Sequence, residues 1–146
     1  MIIAEEVQLR SDEIPQELLA KAREARENSY APYSKYRVSA AIKTRDGRIF
    51  TGVNVENCAY PTSMCAERNA LATAVGEGFR EFEAVAIITP PDSDGNPGSP
   101  CGACRQALAE FGTDLVVYLA TPEDDSSIRV RRISDLLPDA FTPRNL

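Results

Sequence analysis

The reactive residues of this chain lie in two stretches far apart in sequence, and any fold it adopts has to bring them together. Cys65-Ala66-Glu67 stands at the start of one run of helical periodicity, and Pro100-Cys101-Gly102-Ala103-Cys104 at the start of another. Between them, residues 83–89 form a continuous apolar run, the pattern of a strand buried on both faces in the parallel part of a sheet. Ligands of open α/β sheets sit beyond the carboxyl ends of the strands, where the following helices begin. An α/β sheet therefore lets the two helix starts converge.

The remaining periodicity fits that frame. Residues 15–28 read as a helix, with Pro15 in a first helical position and Leu18, Leu19, Ala22 and Ala25 as its apolar stripe. Residues 36–43 alternate as a strand with Tyr36, Val38, Ala40 and Ile42 on one face; Asp46-Gly47 marks a hairpin turn, and 48–56 is the return strand. Helices follow at 64–75 and at 99–111, the latter with Ser99 as cap and Pro100 as first residue. Strands at 114–120 and 128–131 and a short helix at 133–137 complete the order αββαβαβ(β)α. This predicts one domain over residues 1–146, a three-layer α-β-α fold around a mixed, roughly five-stranded sheet.

Composition narrows the function classes. A net charge of −6 argues against a nucleic-acid partner, which demands a basic groove; Arg129, Arg131 and Arg132 read as a solvated strand edge. No apolar run is long enough to span a bilayer, and Met1-Ile2-Ile3-Ala4 followed by Glu5-Glu6 is not the pattern of a signal peptide, so a cytoplasmic location is expected. In that compartment structural disulfides are disfavoured. The chain has no histidine, so a metal site must use sulfur and carboxylate.

Three thiolates hold a zinc ion and leave its fourth tetrahedral position open for water. Cys101 and Cys104 share a helical face, Cys65 begins the other helix, and both helix starts favour the thiolate form. Glu67 is placed to move that water's protons, although a first-turn glutamate also serves as a simple dipole partner. Zinc with three thiolates carries net −1. Arg68, one helical turn after Cys65, offsets that charge if it donates to the sulfurs; otherwise it is a surface arginine. Cys58 is the fourth cysteine, and as a fourth ligand it would close the site and make it structural.

The segments Tyr33-Ser34-Lys35-Tyr36, Gly52-Val53-Asn54-Val55-Glu56-Asn57, Cys65-Ala66-Glu67-Arg68, Ser99-Pro100-Cys101-Gly102-Ala103-Cys104-Arg105-Gln106 and Leu136-Leu137-Pro138-Asp139-Ala140-Phe141 together resemble the short, single-domain cytidine deaminases. The Cys-x-Glu and Pro-Cys-x-x-Cys elements correspond to the general zinc-deaminase signature. The resemblance implies one zinc per subunit on Cys65, Cys101 and Cys104. It implies a water activated there that adds to C4 of cytosine, protons relayed by Glu67, and loss of ammonia to give uridine or 2'-deoxyuridine. It implies a nucleoside held by Asn54, Glu56, Tyr36 and Ala66, and a homotetramer in which Tyr60 and Phe141 reach a neighbouring subunit's site. The chain departs from the family's habits at Tyr36, usually Phe, at Ser39, usually Gly, and at Asp139, commonly Gly. Two alternatives share these residues: a deaminase of a modified cytosine nucleoside such as blasticidin S, and a zinc-stabilised binding module without catalysis.

Overall fold

The computed structural model describes residues 13–146. The reading of Met1 to Glu6 therefore lies outside the described residues. The elements are α1 (Gln16–Ala25), β1 (Ser39–Thr44), β2 (Ile49–Val53), α2 (Ala66–Gly76), β3 (Phe82–Ile88), α3 (Gly102–Ala109), β4 (Val116–Ala120), β5 (Arg129–Arg132) and α4 (Ile133–Leu136). One five-stranded sheet runs β2-β1-β3-β4-β5, parallel only between β3 and β4. The apolar run of β3 is thus buried where the sheet is parallel, and the arginines of β5 lie on an edge strand, as the sequence suggests.

Alternation along the strands separates two cores. Ala40, Ile42, Val85, Ile87, Val117 and Leu119 face α2, α3 and α4. Ala41, Ala84, Ala86, Ile88 and Ala120 face α1, where Leu18, Leu19 and Ala22 cover them. Helices thus cover both sheet faces, completing the three layers. Ser39 opens β1 and is fully buried, and its hydroxyl donates to the carbonyl of Ala22 in the last turn of α1. The Ser39 hydroxyl therefore fills an acceptor that a helix end leaves unpaired.

Several element boundaries differ from the sequence expectation, and three of them bear on the site. The first long strand begins at Ser39, because the Asn54 side chain takes over the pairing of Tyr36 and Val38: its Oδ1 accepts from Val38 N–H (3.0 Å) and its Nδ2 donates to Tyr36 C=O (2.7 Å). Its partner β2 ends at Val53; beyond it Val55 makes single bridges to Tyr30 and Met64. The helix α3 begins two residues later than expected, with Cys101 at its cap position in extended conformation. Ser99 does not cap it, because its hydroxyl accepts from Arg105 Nη2 (2.8 Å).

All of this positions one edge of the sheet. Ser39 pairs with both Val53 and Ile88, so β1 begins where β2 and β3 end. The first turns of α2 and α3 arrive at that edge.

Candidate active site

Cys65 sits at the cap position of α2, Cys101 at that of α3, and Cys104 one turn into α3. Their sulfurs lie within 4.8 Å of one another, and Cys65 Sγ and Cys101 Sγ are 4.0 Å apart. Tetrahedral zinc with Zn–S bonds of ~2.3 Å sets its ligands ~3.8 Å apart. The three sulfurs therefore fit zinc with little adjustment. Cys58 is exposed on the loop after β2 and is not a member of this cluster. The closed, four-cysteine centre is not what the fold builds.

The electrostatics follow the geometry. Arg68 Nη2 lies 3.7 Å from Cys65 Sγ. Hydrogen bonding from the Cys104 thiol first, and from Arg68 and Cys101 as well, outweighs burial and pushes Cys65 down to about 5. Cys104 moves the other way, because its hydrogen bonding with Cys65, its burial and the neighbouring Glu67 charge all favour the protonated thiol. The cluster therefore already holds one thiolate at neutral pH. Glu67 is 5 % exposed, and its Oε2 accepts from Cys104 Sγ at 3.3 Å. Burial, the largest influence, raises its pKa above the ordinary carboxylate value.

A cavity of about 370 Å³ opens over this cluster. Cys65, Ala66, Glu67 and Cys101 line it together with Asn54, Glu56 and Tyr36. Asn54 and Glu56 are two apart on an extended stretch and so share a face. Glu56 Oε1 accepts from the N–H groups of Tyr33 (3.0 Å) and Ser34 (3.1 Å), and its Oε2 accepts from Ser34 Oγ. These bonds, the Ser34 hydroxyl foremost, lower the Glu56 pKa and keep it ionised. Asn54 Oδ1 accepts from the Ser29 hydroxyl as well as from Val38.

Tyr60 and Phe141 do not line this cavity. Tyr60 is 70 % exposed and packs edge-on against Tyr33, with ring centroids 5.8 Å apart. Phe141 is 60 % exposed, and its carbonyl accepts from Gln106 Nε2 on α3 (2.9 Å). Sequence reasoning missed Ser34, Ser63, Thr89 and Ser99 as lining residues. Ser34 and Ser99 stand in the motif segments, but nothing local to Thr89 signals that the end of β3 meets the cavity.

Comparisons with known proteins agree with this arrangement. A family model described as "Cytidine and deoxycytidylate deaminase zinc-binding region" matches residues 12–120. Cytidine deaminase of Sporosarcina psychrophila is 45% identical over 132 residues, covering 90% of this chain and 93% of its own. Blasticidin-S deaminase of Bacillus cereus is 30% identical over 114 residues, covering 75% of this chain and 79% of its own. The crystal structure of cytidine deaminase from Burkholderia pseudomallei superposes with a TM-score of 0.81 at 45% identity, covering 88% of this chain and 99% of that one.

Proposed function

The chain belongs to the cytidine and deoxycytidylate deaminase family, and from that premise we propose that it hydrolytically removes the amino group of cytidine and 2'-deoxycytidine, giving uridine or 2'-deoxyuridine and ammonia. One observation carries the reading: a buried glutamate and two members of a three-sulfur cluster line the same cavity as Asn54 and Glu56, whose polar groups match a sugar hydroxyl.

Zinc held by Cys65, Cys101 and Cys104 would supply the Lewis acidity that activates a water for attack. Glu67 takes a proton from that water and delivers protons to the ring and to the departing amine. Its raised pKa suits a group that must both accept and donate. Ala66, at the first position of α2, contributes backbone to the same wall.

Hydrogen-bond capacity supports the sugar assignment. Asn54 Oδ1 accepts two bonds and Nδ2 gives one of its two hydrogens to Tyr36, so one N–H remains. Glu56 accepts three bonds, which leaves one lone pair on Oε2. One donor beside one acceptor matches a single hydroxyl, which ribose and deoxyribose both supply. Higher identity to the Sporosarcina cytidine deaminase than to the blasticidin-S enzyme favours the unmodified nucleoside.

The exposed Tyr60 and Phe141 support a homotetramer in which each subunit completes its neighbour's site. Tyr30, Val55 and Met64 are also exposed, and backbone bridges set them beside one another. We place this assembly in the cytoplasm; no described helix is long and apolar enough to cross a membrane.

The test is loss of cytidine absorbance on deamination, run against cytidine, deoxycytidine, cytosine and blasticidin S. The first two are expected to turn over, and a zinc chelator to abolish the reaction. Glu67→Ala is expected to keep its zinc and lose about 10²–10⁴ in rate. Near-normal turnover in that variant would end the assignment of Glu67.

A further inference from the structure

We infer that Gly98 sets the width of the nucleoside pocket by leaving space for the Tyr36 hydroxyl, a step that rests on reading the cavity as a nucleoside site. Tyr36 is anchored at its backbone: its N–H donates to Ser34 Oγ (3.0 Å) and its C=O accepts from Asn54 Nδ2 (2.7 Å). From there its ring reaches across to the loop before α3. A methyl group at position 98 would lie 2.8 Å from Tyr36 Oη, and 3.2 and 3.4 Å from Thr89 Oγ1 and Cγ2. Gly98 does not have positive φ, so space alone, and not backbone strain, requires a glycine here.

The surroundings decide which partner yields. Gly98 N–H donates to Thr89 Oγ1 (2.6 Å), and Thr89, 4 % exposed, is tied to the sheet through Ala120 C=O (3.1 Å). The next residues are held by Arg105, which donates to Ser99 Oγ and to Pro100 C=O (2.7 Å). The loop backbone therefore cannot retreat. Tyr36 is 45 % exposed and lines the cavity, so it is the partner free to move. A side chain at 98 therefore shifts the Tyr36 ring, and with it the cavity wall that the ring forms. Phenylalanine at 36 ends short of the contact. Tyr36 and Gly98 are thus a matched pair, and the loop at 90–100 supplies a wall of the pocket.

Gly98 is a positioning residue, and its test compares wild type, Gly98→Ala, Tyr36→Phe and the double variant. The readouts are KM and kcat for cytidine, the affinity for uridine by calorimetry, zinc content and melting temperature. Gly98→Ala is expected to raise KM about tenfold and weaken uridine to match, the scale of one forced contact, with kcat, zinc and melting little changed. The double variant is expected to return to the values of Tyr36→Phe alone. A Gly98→Ala protein that folds only when residue 36 is Phe supports the same pairing. Wild-type KM and uridine affinity in Gly98→Ala, or a double variant as impaired as Gly98→Ala, would overturn the inference. A wild-type protein that binds neither nucleoside would instead overturn the reading of the cavity on which it stands.

Discussion

At the scale of single residues, the arginine beside the sulfurs has the clearest separable effect. Arg68 is exposed, lies 3.7 Å from Cys65 Sγ, and makes none of the core contacts that hold α2. Three thiolates give the ion more charge than it carries, which weakens its pull on water; a guanidinium on one sulfur withdraws part of that charge. Arg68→Gln is therefore expected to fold and melt like the wild type while losing about tenfold or more in turnover or zinc affinity. Assay and metal titration of the purified variant check this, and unchanged values would make Arg68 a surface residue. The sequence showed the ligands and Glu67 because spacing and residue type are local. It could not show what Asp139 does. Its φ of 53° lies in the left-handed region, which aspartate is among the few side chains to accept.

At the scale of elements, β2 and α2 approach so closely that their contact fixes the metal end of the site. A Cβ on Gly52 would stand 2.3 Å from Ala70 N and 2.6 Å from Ala66 O, both backbone atoms of α2. Asn69 Nδ2 locks the same pair by donating to Val53 C=O (2.7 Å). Gly52→Ala must therefore displace the helix that carries Cys65 and Glu67. The expected loss is about 3 kcal/mol of stability, the upper end for an overpacked contact, together with weaker zinc binding. Urea unfolding and metal titration measure the two effects separately. Element order and type were legible from periodicity, since each strand and helix shows its own repeat. The boundaries at Ser39 and Cys101 were not. Asn54 captures Val38 across 16 residues of sequence, and Arg105 diverts Ser99 from its capping role. Propensity carries no information about such distant partners.

At the scale of the whole molecule, α3 is a junction. Two of the three sulfurs belong to its first turn and cap, and the same helix reaches the chain's end: Arg105 Nη1 donates to Leu136 C=O (2.7 Å) and Gln106 Nε2 to Phe141 C=O (2.9 Å). Metal binding stabilises the conformation that presents all three ligands. Removing the ion is expected to loosen α3 and, with it, the tail. Hydrogen exchange at residues 136–146 should speed up in chelator and recover on adding zinc, while α1, on the opposite face, exchanges as before. Unaltered exchange in the tail would show that the junction transmits nothing. The hooks at Arg105 and Gln106 imply that metal starvation acts on this protein twice. A subunit stripped of its ion loses its own chemistry and also slackens the segment that carries Phe141.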